Sequence, residues 1–208
     1  MSTSSTDHKL YISAGNTKLG SIPNLSLPPI TTCLPNVPCA DKCYAKFAYL
    51  RFAKTRAAWD ANLTFWREDP VGFALALNTY LDKRKPVYFR WHVGGDIPDP
   101  KYAVMMDAVA FAHPRTQFLC YTRTLTKSYQ PNLTIVVSHW LEEHQLDSER
   151  PNGWVITQKG AHYLMLKTDK LYTIHSCQGS CKVCHYCWYM KPGDLVVFKL
   201  HGGGYKHE

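Results

Sequence analysis

The sequence predicts a single α/β domain, covering residues 1–208, that is built from parallel βαβ units. Segments with strand composition alternate with segments of helical periodicity along most of the chain. Hydrophobic residues make up 45% of the 208 residues, which is enough to form one buried core, and no repeat or low-complexity tract interrupts them.

The N-terminal half contains the first predicted strands and the longest predicted helix. Residues 8–30 predict one or two short strands broken by Gly and Pro. Across residues 41–66, small and apolar side chains recur every three or four positions, which predicts one long helix with basic outer faces. Asp69 and Pro70 form a good N-cap and first-turn pair for a second helix that ends near Leu81.

Strands dominate the rest of the prediction. Residues 87–97 predict a strand that closes in a Gly-Gly-Asp turn, and Asp99 and Pro100 begin a helix that ends near Phe111. Further strands are predicted at 116–122, 133–140, 154–158 and 162–168. In parallel α/β folds, function sits at the carboxyl ends of the strands. The unusual residues of this chain follow predicted strands, so we expect them to meet there.

Seven of the eight cysteines fall in two clusters, which favours metal binding. The polar start of the chain lacks the apolar region of a secretory signal, and no apolar run approaches the roughly 18 residues of a membrane span, so we expect a cytoplasmic protein without a membrane partner. Cytosolic thiols stay reduced, and clustered ones are more often metal ligands than disulfides. Cys120 stands alone in an apolar strand and is predicted to be a packed core residue.

The first cluster, in the cysteine loop 31–45, has the spacing C-x5-C-x3-C and consists of Cys33, Cys39 and Cys43. Three thiolates leave one coordination position open, and an open iron can bind a substrate or cofactor directly. In the alternative interpretation these three cysteines share one site with a thiol of the second cluster. The sequence leaves both one centre and two centres open.

The second cluster, in residues 175–189, has the spacing C-x3-C-x2-C-x2-C. Its members are Cys177, Cys181, Cys184 and Cys187. Four ligands are a complete set for tetrahedral zinc or for an iron–sulfur cluster. The staggered spacing favours iron–sulfur, because zinc sites usually pair two CxxC knuckles across a longer loop; zinc is the alternative.

The formal charge of +8 permits contact with nucleic acid or another polyanion. The basic residues are scattered along the chain, however, a pattern that is also typical of a solvated basic surface. Tyr186, Trp188 and Tyr189 accompany the second cysteine cluster. Aromatic side chains there would either contact bases or shield a cluster from water.

Several segments occur in an order that resembles the phage gene product 88 domain family over about residues 10–190. They are LSLPPITTC (25–33), the C-x5-C-x3-CYA loop, Asn62, RWHVGGD (90–96), QFLCYTRT (117–124), NLTIVVS (132–138) and CxxCxxCW (181–188). That family in turn resembles a reduced radical S-adenosylmethionine (SAM) barrel. The resemblance implies a partial (β/α) barrel-like, radical-SAM-like fold with a cysteine-rich C-terminal segment.

The same resemblance implies cofactors. The cysteine loop would hold a [4Fe–4S] cluster with one open iron, and the Gly-Gly-Asp turn would contact the amino group of SAM. The residues that would bind SAM or an anionic substrate are Arg90, His92, Gly94, Gly95, Asp96 and Arg123.

Two functions of different classes follow. The first is a phage iron–sulfur protein with a radical-SAM-like core, carrying one or two clusters, that would cleave SAM reductively and so generate a radical that abstracts hydrogen from a substrate. The second is a non-enzymatic iron–sulfur or zinc module that binds nucleic acid or a host protein. Either function would operate in the cytoplasm of an infected host cell.

Overall fold

The computed structural model describes residues 8–140, 146–156 and 172–199. These ranges form a mixed α/β fold with one eight-stranded sheet and four α-helices. The strands are β1 (Ile12–Ser13), β2 (Asn24–Leu25), β3 (Tyr88–Trp91), β4 (Gln117–Thr122), β5 (Leu133–Trp140), β6 (Asn152–Ile156), β7 (Thr173–Ser176) and β8 (Asp194–Lys199). The helices are α1 (Tyr44–Arg51), α2 (Ala53–Glu68), α3 (Pro70–Arg84) and α4 (Pro100–Ala112).

The sheet has the strand order β1-β2-β3-β4-β5-β6-β8-β7. β1 pairs with β2 in the antiparallel direction, and every other pair in the sheet is parallel. The predicted α/β class with parallel strands is therefore confirmed. Within the described ranges β1 and β7 form two open edges, so the barrel that the resemblance implies stays a prediction.

The prediction of a single helix across residues 41–66 is wrong. A short 3-10 helix at Ala40–Lys42 precedes α1, and Phe52 separates α1 from α2 with an extended backbone (φ −108°, ψ 104°). Arg56 stabilises the break because its guanidinium group donates hydrogen bonds to the carbonyl oxygens of Tyr49 and Leu50, at 3.4 and 3.2 Å, in the last turn of α1. A side chain of α2 thus satisfies carbonyl groups that a continuous helix would have bonded internally.

The later helices begin where their capping residues predict. The Asp69 carboxylate accepts a hydrogen bond from the Gly72 N–H at 2.8 Å at the start of α3, and the Asp99 carboxylate accepts one from the Tyr102 N–H at 2.9 Å at the start of α4. Lys85 caps the C-terminus of α3 in the left-handed conformation. Both helices confirm the interpretation of an acidic N-cap followed by proline.

Strand prediction was accurate in the middle of the chain and incomplete at its end. β3, β4 and β5 lie within the predicted segments, and β6 begins two residues before the predicted 154. β7 and β8 were not predicted, because β7 overlaps the cysteine-rich segment and β8 follows it. The strand predicted at 162–168 lies outside the described residues. Within the described residues, no helix is both long and apolar enough to cross a membrane.

Alternating side chains give the sheet two different faces, as the pleat of a strand requires. In β4, Phe118 and Cys120 pack into the larger core with residues of α2, α3 and α4, whereas Leu119 packs into a second core on the opposite face. The second core includes Trp188 and, at its margin, Cys177, Cys181 and Cys187. Cys120 is completely buried, so the prediction that it is a packed core residue is confirmed.

His92 also belongs to the larger core's side of the sheet. It is buried, its Nε2 lies 3.1 Å from the Tyr102 hydroxyl, and its Nδ1 lies 3.8 Å from Cys120 Sγ. Burial lowers the pKa of His92 to about 3, and the nearby Arg90 guanidinium adds to the fall. The imidazole is therefore neutral at physiological pH, and its backbone is left-handed at φ 53°.

We expect His92 to make the protein sensitive to acid. Its pKa is about 3 in the folded state against 6.5 for the ordinary side chain, so its stability contribution is complete above pH 6.5 and is lost as the pH falls towards 3. Between pH 7.5 and pH 5 the free energy of unfolding should fall by about 2 kcal/mol from this group alone.

The His92→Asn variant provides the comparison, because asparagine tolerates the left-handed backbone and does not titrate. The free energy of unfolding, measured by chemical denaturation at both pH values, should fall less in the variant than in the unmodified protein. An equal fall in both proteins would contradict the assignment of a neutral, buried His92.

Candidate ligand-binding cavity and its cysteines

A large cavity of about 1110 Å³ lies against the face of the sheet that carries the second core, and residues of α1 and of the first half of α2 also line it. Its described lining comes from both halves of the chain and includes side chains of β1, β2, β3, β4, β5, β6 and β8. The cysteines in that lining are Cys39, Cys43, Cys177, Cys181 and Cys187. The fold therefore brings both cysteine clusters to one cavity. Cys33 and Cys184 are not among the described lining residues.

Hydrogen bonds join the start of the cysteine loop to the turn after β3. The Ser26 hydroxyl accepts hydrogen bonds from the N–H groups of Val93 and Gly94 at 3.1 and 3.2 Å. The Thr32 hydroxyl accepts one from the Asp96 N–H at 3.0 Å, and the Tyr44 hydroxyl donates to the Val93 carbonyl oxygen at 2.7 Å. The loop is thus fixed at the carboxyl ends of β2 and β3, where parallel sheets place their sites.

The three thiols of the cysteine loop influence one another. Burial raises the pKa of Cys33 to about 11; a backbone hydrogen bond at Ile30 opposes this, and the neighbouring Cys43 and Cys39 add to the rise. Cys43 is the N-cap of α1, and its Sγ accepts a hydrogen bond from the Lys46 N–H at 3.4 Å. Since a ligating thiol must lose its proton, metal binding here would release protons.

The second cluster is held by backbone hydrogen bonds. The Cys177 N–H donates to the Val197 carbonyl oxygen at 2.9 Å, and the Cys181 N–H donates to the Lys18 carbonyl oxygen at 2.8 Å. Burial raises the pKa of Cys187 to about 11, and the adjacent Tyr121 hydroxyl opposes that rise.

Two histidines stack near these cysteines. Cys184 Sγ lies 3.8 Å from His175 Nε2, and the His175 ring stacks on Tyr186 at 4.1 Å between ring centroids. His185 stacks on Tyr88 at 4.1 Å. Trp188 is buried and its Nε1–H donates to the Phe89 carbonyl oxygen at 3.1 Å, so it closes one side of the segment against water.

All eight cysteines are free thiols. Among the described residues, no group of three or more His, Cys, Asp or Glu side chains is arranged to hold a metal ion. The two clusters therefore lie at one cavity without forming a preformed site for a single ion.

The glycines of the turn after β3 allow close packing. A Cβ atom at Gly94 would collide with the indole ring of Trp59, and one at Gly95 would lie 2.5 Å from the Leu27 carbonyl oxygen. Gly95 also has a positive φ of 79°. Both positions are explained by the contact between this turn, the cysteine loop and α2.

The Asp96 carboxylate is buried within the protein. It accepts hydrogen bonds from the Ile97 N–H at 2.7 Å, the Thr122 hydroxyl at 2.5 Å and the Arg123 N–H at 3.0 Å. Burial raises its pKa, and these three hydrogen bonds oppose the rise. The carboxylate joins the carboxyl ends of β3 and β4.

The six predicted cofactor-binding residues divide into two groups. Arg90 and Arg123 line the cavity. His92, Gly94, Gly95 and Asp96 are not among its described lining residues. The Arg90 guanidinium lies 4.5 Å over the Tyr121 ring, and Arg123 Nη1 donates to the Ser138 carbonyl oxygen at 2.9 Å.

Several residues that line the cavity were not predicted from the sequence. Tyr121 could have been found from strand alternation, because it shares a face with Leu119 two positions earlier. Asn24 lies in a two-residue strand, and Trp59 lies on a helix, so no local signal identified them.

Comparison with known proteins places the chain in a family. No curated protein and no solved structure matches it. The family model described as Gene product 88 matches residues 3–190, which is most of the chain. The chain therefore belongs to the Gene product 88 family.

Proposed function

We propose that the protein binds an iron–sulfur cluster through Cys33, Cys39 and Cys43. The observation that carries the proposal is the meeting of two cysteine clusters, distant in sequence, at one cavity. The donor set is all sulfur, which suits iron–sulfur clusters and other thiophilic metals. When bound, such a cluster supplies one-electron chemistry.

The spacing of the cysteines along the sequence favours a cluster over zinc. A structural zinc ion needs its sulfur ligands to converge at about 2.3 Å from one point, and no described group of side chains has such an arrangement. In an iron–sulfur cluster different thiolates bind different irons, so the sulfurs stand farther apart. The three thiols of the cysteine loop are free and half-buried, and Cys39 and Cys43 lie near enough to Cys33 to raise its pKa.

The second cluster supports two arrangements. Its four thiols, Cys177, Cys181, Cys184 and Cys187, would form a second centre, or one of them would complete the first. Cys177, Cys181 and Cys187 face the same cavity as Cys39 and Cys43, which is compatible with either. The iron-to-protein ratio separates one centre from two.

SAM cleavage is an extension of this proposal that the cavity supports less directly. SAM carries an ammonium and a sulfonium group, and no carboxylate is among the described lining residues. The Asp96 carboxylate, which the resemblance assigns to the ammonium group, already accepts three hydrogen bonds from within the protein. We infer that Asp96 fixes the turn after β3.

A second candidate function is the binding of single-stranded nucleic acid at the surface of α1. Phe47 and Phe52 are 57% and 51% exposed, and the Arg51 guanidinium lies 5.6 and 5.9 Å from their ring centroids. Lys54 is exposed beside them. Exposed aromatic rings among cations are typical of surfaces on which bases stack and phosphates bind. Trp188, by contrast, is buried and unavailable for stacking.

We expect protein purified without oxygen, or reconstituted with iron and sulfide, to be brown with broad absorption near about 400 nm. Serine at Cys33, Cys39 or Cys43 should remove most of the iron of that centre, because a ligand is lost. Cys120→Ala is the control and should keep its iron, since Cys120 is buried in the other core. A colourless protein with stoichiometric zinc and no sulfide would overturn the proposal.

Reduction with dithionite in the presence of SAM tests the extension. Formation of 5′-deoxyadenosine would establish SAM cleavage. Iron-loaded protein that forms no 5′-deoxyadenosine would bind a cluster without cleaving SAM. Because iron content is measured on the same sample, an empty preparation is not mistaken for an inactive one.

We expect Phe52→Ala to weaken the binding of single-stranded DNA by about tenfold, since stacking on one aromatic ring is worth about 1–3 kcal/mol. Phe111→Ala on α4 is the matched control, because Phe111 is 74% exposed and lies outside the α1 surface. Fluorescence anisotropy with a labelled oligonucleotide measures both. If Phe52→Ala and Phe111→Ala bind the oligonucleotide with equal affinity, the α1 surface is not the binding site.

A further inference from the structure

We propose that the cavity binds a phosphorylated nucleoside. This inference rests on the charge of the cavity, its aromatic lining and the unpartnered amide of Asn24, and it does not depend on the cluster. Among its described lining residues every charged side chain is a cation; these are Lys18, Lys42, Lys54, Arg90 and Arg123. The whole chain, in contrast, has 16 acidic residues against 24 basic ones. The described lining of the cavity therefore favours an anion.

Arg90 is placed to bind a phosphate. Its Nε–H donates to the Trp91 carbonyl oxygen at 3.1 Å, and no hydrogen bond joins its two Nη groups to a described residue. The ring of Tyr121, 4.5 Å away, holds the guanidinium plane in position. A fixed guanidinium whose two Nη groups remain as donors suits a bidentate contact with phosphate.

Asn24 supplies an independent observation. It is 4% exposed, and its Nδ2 has no hydrogen-bond partner among the described residues. Asn24 pairs with Arg90 in the register of β2 and β3, and both side chains line the cavity. An unsatisfied buried amide is costly, so a ligand with hydrogen-bonding groups is the expected partner.

Aromatic side chains define the rest of the ligand. The described lining contains Tyr11, Tyr44, Trp59, Tyr121, Trp140 and Phe198. Flat aromatic surfaces in a concave site suit a planar ring such as a nucleobase. The volume of about 1110 Å³ is larger than a nucleotide needs, so the ligand and a cluster have room side by side.

The experiment measures binding of the four ribonucleoside 5′-monophosphates, the four nucleosides and inorganic phosphate to the full chain by calorimetry. At least one monophosphate should bind about tenfold or more tightly than its nucleoside, because the phosphate gains charge-assisted hydrogen bonds. Iron is measured on each sample, so that failure to form a cluster is recorded separately from failure to bind nucleotide.

Variants locate the site. Arg90→Gln and Lys54→Gln should each weaken binding of the monophosphate, Arg90→Gln by about tenfold or more. Lys54 is exposed, so its substitution leaves the fold intact. Arg84→Gln, at the end of α3 and outside the described lining, is the control and should bind like the unmodified protein.

A 5′-phosphorylated oligonucleotide separates a free nucleotide from the end of a strand. If the strand end is the ligand, the oligonucleotide should bind more tightly than the monophosphate and lose affinity in Arg90→Gln as well as in Phe52→Ala. The proposal is overturned if nucleosides bind as tightly as monophosphates, if no monophosphate binds at about millimolar concentration, or if Arg90→Gln and Lys54→Gln both retain full affinity.

Discussion

The buried carboxylate of Asp96 is the constraint on which the rim of the cavity depends. The carboxylate accepts hydrogen bonds from the Thr122 hydroxyl at the end of β4 and from the Arg123 N–H, while the backbone N–H of Asp96 donates to the Thr32 hydroxyl in the cysteine loop. Three chain segments that are distant in sequence are thereby fixed at one end of the sheet. A buried carboxylate without these donors would be costly. The hydrogen bonds of the carboxylate hold the turn after β3 against the end of β4, and the backbone N–H of Asp96 in turn holds the loop that carries Cys33.

One face of the sheet forms the core that stabilises the fold, and the other face lines the cavity that we propose to bind ligands. On one face, residues such as Phe89 and Phe118 pack against three helices, and Cys120 is a thiol without access to solvent. On the other face, Arg90 and Tyr121 line the cavity. Because side chains alternate along a strand, adjacent residues of β3 and β4 serve different purposes. The face of the sheet therefore separates Cys120, in the larger core, from the cysteines that line the cavity.

The sequence predicted the parts of the fold that depend on local physics. Acidic caps located α3 and α4, and alternating apolar residues located β3, β4 and β5. The break at Phe52 was missed because it depends on Arg56, a contact that periodicity does not reveal. The candidate site was likewise predicted only in part. Arg90 and Arg123, to which the resemblance gave a ligand-binding role, do line the cavity. The neighbours of Asp96, in contrast, are brought together by tertiary packing, and its carboxylate points into the protein.

The positive charge of the cavity links the two ligands that we propose. Arg90 lies near Cys181 and Cys187, where its charge lowers their pKa values against the larger effect of burial, so it favours thiolates there. The negative charge of thiolate ligands would balance the positive charge of Arg90. Lys18, Lys42 and Lys54 line the same cavity, so its described lining carries further positive charge. The phosphate of the proposed nucleotide would bind in this positive field, and the unpartnered amide of Asn24 beside Arg90 indicates where.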